Sequence, residues 1–223
     1  RIAHIIISYL NFKKINNNLY HVSFMLNKIQ TREAKKFLSN DELNFLMSIL
    51  KDENKDSILS SLNKELLKKY FDILIKSQNI SLFFCKFAEE DIGYMVISKS
   101  PNDLINEFKV LKFQIFINLV SRLKIKSLIN ILISFTGLDM IFLSKEKDIV
   151  SKNLNLSLLA IKKRFQSKGI GQFFVKKILK EISLKTGSKI ITVETNNNQA
   201  EKFYKEKIKF YFLGKKVRLF KNL

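Results

Sequence analysis

The residues best suited to chemistry lie in one string near the C-terminal third. The apolar run Leu158-Leu159-Ala160-Ile161 passes without a linker into Lys162-Lys163-Arg164-Phe165-Gln166-Ser167-Lys168-Gly169-Ile170-Gly171. A strand that runs into a glycine-containing turn opening a helix aims free backbone N–H groups, with the positive end of the helix dipole, at one point. That arrangement cradles an anion. Gly169 and Gly171 carry no Cβ to block a phosphate and can adopt φ values closed to other residues. Each N–H donated to a charged oxygen contributes roughly 1.5–3 kcal/mol, so three or four aligned donors outweigh any single lysine nearby. The string fits neither the Walker loop, which ends Gly-Lys-Ser/Thr, nor the Gly-x-Gly-x-x-Gly dinucleotide turn.

The surrounding periodicity supplies the elements that would position this loop. Leu154 to Ile161 reads as a strand and Arg164 to Gly171 as the loop. Gln172 to Thr186 reads as a helix with Phe173, Phe174, Ile178, Leu179 and Ile182 inward, capped by Gly187. Lys189 to Glu194 is a further strand and Gln199 to Lys207 a helix, and Phe210–Leu213 with Val217–Phe220 form a closing pair of strands around Gly214. Upstream, Ile2 to Leu10 is an apolar patch, strand or helix, and Tyr20 to Lys28 alternates as a strand. Phe37, Leu43, Leu46, Met47 and Leu50 mark one helix, and Leu59 to Ile75 a second. Ile80–Phe87 and Ile92–Ser98 make a β-hairpin about Glu89-Glu90-Asp91, ended by Pro101 and Asn102. Leu104, Phe108, Leu111, Ile115, Leu119 and Leu123 form a long helical stripe, followed by the apolar segment Leu128 to Phe135. This block reads as a helical hairpin packed on the sheet, or as a lid or lipid-facing surface with Lys109, Lys112, Arg122, Lys124 and Lys126 on its flanks.

Gln166-x-x-Gly169-x-Gly171, after a strand ending Leu159-Ala160-Ile161, resembles the signature of the GNAT N-acetyltransferase family, whose loop holds the pyrophosphate of acetyl-CoA. The likeness continues through strand Ile190–Glu194 into Asn197-x-x-Ala200-x-x-Phe203-Tyr204, similar to the family's Asn-x-x-Ala-x-x-x-Tyr segment, and covers roughly Tyr20 to Phe220. It implies a mixed α+β fold: a central, mostly antiparallel, splayed sheet flanked by helices, with a helical insertion at about 102–137 between the third and fourth core strands. Residues 1–19 would be an N-terminal extension and 20–223 a single acetyltransferase domain. The Ser57–Leu62 stretch and the insertion resemble a subgroup associated with surface-polysaccharide genes. One departure is plain: where the family closes as Tyr-Glu-Lys-x-Gly-Phe, Tyr204-Lys205-Glu206-Lys207-Ile208-Lys209-Phe210 has one extra residue and Lys209 in place of glycine, so the turn there must differ.

By this resemblance, backbone groups of Leu159 and Ile161 pair with the pantetheine arm, while amides around Gln166, Ser167, Lys168, Gly169, Ile170 and Gly171 hold the diphosphate. Asn197 orients the cosubstrate or caps its helix, two roles its residue type serves equally well. Tyr204 resembles the family's general acid, also touching the cosubstrate. An alkyl ammonium costs roughly 4–5 kcal/mol to deprotonate at neutral pH, so a base helps: Glu194 first, His21 second, Glu89 or Glu90 third. Cys85, in an apolar strand, reads as core. No metal is implied.

The 223 residues suffice for one domain, and 46% hydrophobic with 27% charged residues excludes disordered and disulfide-scaffold classes. A lone cysteine and two histidines, His4 and His21, exclude a disulfide framework and a multi-thiolate metal site. A cytoplasmic location is the default, and no apolar run of membrane-spanning length occurs. The net charge of +20 is almost all lysine, with five arginines and no tryptophan, so the features of a specific nucleic-acid interface are thin. Genome bias produces the same balance, and a basic face would favour an anionic ligand. The acceptor expected is a small-molecule amine such as a nucleotide-linked amino sugar. Alternatives are a protein or peptide amine, or an inactive fold serving as a basic nucleic-acid or membrane module. Peripheral membrane contact through the insertion is part of this expectation, and the oligomeric state is open.

Overall fold

The computed structural model describes residues 2–8, 28–53, 59–121, 153–195 and 197–216. Within them, β-branched and aromatic runs form seven strands: β1 (Ile2–Ser8), β2 (Ile29–Glu33), β3 (Ile80–Phe87), β4 (Glu90–Ser98), β5 (Leu154–Ile161), β6 (Ile190–Thr195) and β7 (Tyr211–Lys216). They make one sheet in the order β2-β3-β4-β5-β6-β1-β7. Every pairing is antiparallel except that of β5 with β6.

Among the described residues six α-helices cover it: α1 (Asn40–Glu53), α2 (Lys64–Lys76), α3 (Pro101–Glu107), α4 (Lys112–Ser121), α5 (Ile170–Thr186) and α6 (Asn198–Lys202). Their starts are set by local chemistry. Ser39 and Glu42 exchange hydrogen bonds ahead of α1, Asn63 caps α2, and Ser100 with Asp103 forms a capping box before Pro101 at the head of α3. Pro101 thus opens a helix as it ends the hairpin. Alternation along the strands sends Phe84, Tyr94, Val96 and Ala160 into a core with α1 and α2, and Met95, Ile97, Leu156 and Ile161 into a second core under α5.

Several sequence expectations are met and others corrected. Both upstream helices, the hairpin, the Leu154 strand and the helix ending at Gly187 are present. Phe37 is not part of α1; it precedes the helix and is 79% exposed. The Tyr20–Lys28 strand lies almost wholly outside the described residues, and pairing on that edge begins at Ile29. The long stripe is interrupted by a tight helical turn at Phe108–Leu111, after which Ile115 faces the core while Phe113 and Ile117 face outward. Leu128–Phe135 also lies outside the described residues. Gly214 is not a turn: β7 runs through it, with Gly214 opposite His4 and a bulge before Phe212 pairs with Ile5. The glycine misled because the partner strand comes from the N-terminus, Ile2–Ser8, which sits between β6 and β7. Among the described residues no helix is long and apolar enough to cross a membrane.

Candidate active site

The parallel pairing of β5 with β6 covers Leu154, Asn155 and Leu156 against Ile191, Thr192 and Val193. Beyond that point the two strands part. A bulge begins the divergence: Leu156 opposes Ile97 and Leu158 opposes Val96, so Ser157 is an extra residue that bends β5. Lys162 N–H donates to Ile92 O of β4 at 2.8 Å. By the alternation of an antiparallel ladder, the main-chain groups of Ile161 and Leu159 then point away from β4, into the gap opened toward β6. At the far end of β5, Gly93 permits close approach: a Cβ there would lie 2.7 Å from Ala160 O and overlap the Ile161 side chain.

The loop leaves β5 through a tight turn at Lys163–Phe165 and starts α5 at Ile170. Two residues take left-handed backbone to do so, Ser167 at φ 60° and Gly169 at φ 77°. Gly169 has the residue type that this conformation favours. The first helical bond of α5 runs from Phe173 N–H to Gly169 O at 3.0 Å, so the amides of Ile170, Gly171 and Gln172 are the donors that a helix start leaves outside its own ladder. Ser167, Lys168 and Gly169 are exposed. Gln166 is placed differently from expectation. Its N–H donates to Lys163 O, and its side-chain Nε2 donates to Ile161 O and to Glu53 Oε2, each at 2.7 Å. It shapes the loop rather than lining it.

The segment carrying Tyr204 packs against the first turn of α5. Gln172 Nε2 donates to Lys207 O at 2.9 Å, and a Cβ on Gly171 would touch the Phe203 ring at 3.7 Å. The extra residue seen in sequence is absorbed as a π-helical turn, Phe203–Ile208, after the five-residue α6. Tyr204 O receives both the Lys209 and Phe210 N–H groups, and Lys209 takes φ 71°, a left-handed position filled by glycine in the family's pattern. Tyr204 is buried, its ring edge-on to Phe203 and Phe210 at 5.3 Å each. Burial raises its phenol well above the ordinary value, which keeps the proton on at any working pH.

Acids and bases sort by environment. Glu90 accepts from Lys162 Nζ at 2.7 Å and pairs with Arg164; the Lys162 hydrogen bond, then that of Arg164, holds its carboxyl below the usual range, which makes it a poor base. Glu89 lies at the hairpin tip beside Phe87, Phe165 and Lys168. Glu194 is exposed on β6, one residue beyond the last pair with β5 and opposite His4 of β1. His21 lies outside the described residues. Asn197 caps α6, its Oδ1 accepting from Gln199 and Ala200 N–H at 2.8 and 3.1 Å, so the capping role is the one seen. Cys85 is buried, and desolvation pushes its thiol up to about 12, leaving no thiolate for nucleophilic work near neutral pH. No group of His, Cys, Asp and Glu able to hold a metal occurs among the described residues.

Sequence reasoning missed Glu53. This last residue of α1 accepts from Lys163 N–H at 2.8 Å as well as from Gln166. Its one sequence signal is an acid at a helix C-terminus, where the dipole favours a base.

A family model described as an acetyltransferase (GNAT) domain matches residues 139–216. Among solved structures, a transcriptional regulator from Bacillus halodurans is similar at 14% identity and a TM-score of 0.50, with 86% of this chain and 98% of that one covered. An aminoglycoside acetyltransferase from an uncultured soil metagenomic sample is 13% identical over 88% of this chain and 97% of its own, at 0.49. A mosquito arylalkylamine N-acetyltransferase like 5b is 16% identical over 80% of this chain and 81% of its own, at 0.48. No curated protein sequence matches significantly. The residues matched by that acetyltransferase (GNAT) domain model take in β5, the anion loop, α5, β6 and the Tyr204 segment.

Proposed function

We propose that the protein is an acetyl-CoA-dependent N-acetyltransferase that acts by direct attack of an acceptor amine. The observation that carries this reading is the parting of β5 and β6 after Leu156 and Val193, together with a helix start on the loop that follows β5, where three amides lie outside the helical ladder. A slot edged by strand main chain suits an amide-bearing arm, and a helix start suits a diphosphate. The residues on hand fit both.

In this reading Leu159 and Ile161 bind the pantetheine arm, and Ile170, Gly171 and Gln172, with Ser167 to Gly169 beside them, hold the diphosphate. Fixing the thioester in place supplies roughly 7–11 kcal/mol of the barrier. The amine nitrogen bonds to the carbonyl carbon, the C–S bond breaks, and the leaving sulfur takes a proton. Tyr204 is the proposed donor. With its pKa raised, full transfer ahead of C–S cleavage is steeply uphill, so Tyr204 acts by a hydrogen bond that becomes proton transfer only as the sulfur departs. Glu194, at the mouth of the slot, is the proposed base for the incoming ammonium.

The acceptor proposed is a small amine, and the net charge of +20 favours one on an anionic carrier, such as a nucleotide-linked amino sugar. The test is titration with CoA followed by thiol-release assays over amino sugars, arylalkylamines, aminoglycosides and lysine peptides. CoA binding with turnover on a small amine supports the reading. Turnover only on peptides would replace the acceptor class. No CoA binding, with salt-sensitive binding to RNA or anionic vesicles, would replace the enzyme with a basic binding module.

A further inference from the structure

We infer that Glu53 is a positioning residue for the anion loop, a staple from α1 that sets the loop's shape without touching the ligand. The inference rests on the transferase reading of that loop. Both carboxylate oxygens are committed: Oε1 accepts from Lys163 N–H at 2.8 Å and Oε2 from Gln166 Nε2 at 2.7 Å. The other Nε2 hydrogen of Gln166 goes to Ile161 O, also at 2.7 Å. A continuous chain of hydrogen bonds therefore runs from the end of α1, through the loop's root, to the last residue of β5.

Two arguments set this arrangement apart from an incidental surface contact. An acid at the end of a helix is opposed by the helix dipole, and a carboxylate beside an anion site repels the ligand. Both penalties are offset only where the charge is taken up by donors of the loop itself, and both oxygens are so used. The pattern also needs a carboxylate. An amide in its place offers one acceptor oxygen and turns an N–H₂ group toward a donor. The staple acts just before Ser167 and Gly169, the two left-handed residues that aim the α5 amides. A loose root would let that aim wander.

The test uses the full chain with Glu53→Gln, Gln166→Met and the double variant. Calorimetric titration with CoA and hydrogen exchange over residues 162–171 are the readouts. Glu53→Gln is expected to weaken CoA about tenfold, the loss of roughly one charge-assisted hydrogen bond. It should also raise KM for acetyl-CoA with kcat kept and speed exchange at the Lys163 amide. Gln166→Met should do the same, and the double variant should bind no worse than either single one, as for members of one unit. A merely structural role would lower the active fraction, and with it kcat, at unchanged KM. CoA affinity within twofold of the parent in either folded variant, or losses that multiply in the double, overturns the assignment. Should Glu53→Gln fail to fold, Gln166→Met carries the same criterion. If the parent itself binds no CoA, the transferase reading fails instead, and the positioning role falls with it.

Discussion

Asn155 donates from Nδ2 to the Thr192 hydroxyl at 3.1 Å, across the only parallel pairing among the described strands. Thr192 in turn donates to Leu154 O at 3.2 Å, and Ser157, the bulge residue, donates to Asn155 Oδ1 at 2.8 Å. Asn155, Thr192 and the adjoining Ser98 are all buried. This row of polar groups locks β5 to β6 at the last residues before they separate. Replacing Asn155 by Leu removes two of these hydrogen bonds, leaving Thr192 with Leu154 O and Ser157 with Ser98, and should cost about 1–3 kcal/mol. The check is a fall in thermal midpoint together with weaker CoA binding, since the fork of the slot would shift.

Gly171 and Gly169 should respond oppositely to alanine. A Cβ at Gly171 meets only ordinary contacts, 3.7 Å to Ile161 and Phe203, so Gly171→Ala should hold or raise stability by up to about 1 kcal/mol through helix propensity. Gly169→Ala forces a side chain into φ 77° and should cost about 1–2 kcal/mol. Gly171→Glu places a carboxylate at the helix start, which folds well but should abolish CoA binding, as titration would show.

Lys209→Gly should stabilise the protein. The residue sits at φ 71° after the π-helical turn, and relief of that conformation is worth up to about 1 kcal/mol after the entropy lost to glycine is subtracted. A thermal midpoint raised by roughly 2–4 °C would agree with this. A fall would mean that the Lys209 side chain does more than its backbone suggests.

The Glu90 carboxyl, held down by its Lys162 and Arg164 partners, contributes stability above the unfolded value of 4.5 and loses it as pH falls through the lower folded value. The group is substantially exposed, so the contribution at neutral pH stays under about 1 kcal/mol. Glu90→Gln should be slightly less stable than the parent at pH 7, and the gap should narrow as pH falls through the folded value, as denaturant melts across acidic pH would reveal.

Tyr204→Phe removes the proposed hydrogen bond to sulfur and little else. Turnover should fall by at least about tenfold with acetyl-CoA affinity almost unchanged. Because burial keeps the phenol protonated, the pH–rate profile of the parent should show no limb from Tyr204 below about pH 10. Equal kcat in the two proteins would end the assignment.

The loop was legible in sequence because glycine spacing after an apolar strand reports backbone geometry directly. Even the irregular turn at Lys209 announced itself as one residue too many. Glu53 was not legible, since its partner Lys163 lies 110 positions away and nothing local links them. Gly214 misled for a related reason: a glycine inside a paired strand looks like a turn until the distant strand that pairs with it is known. Phe37 shows the other failure, where helical spacing counts apolar residues but not the direction they face.

β1 lies between β6 and β7, so its Ala3 pairs with Thr195 and Lys215, almost the whole length of the chain away. Closing so large a loop is entropically slow, and such pairing raises the contact order that limits folding rates. On the ribosome, β1 must wait for the much later β6 and β7 before its edges are satisfied. That order of events gives this half of the sheet its period of greatest exposure to aggregation during synthesis rather than after it.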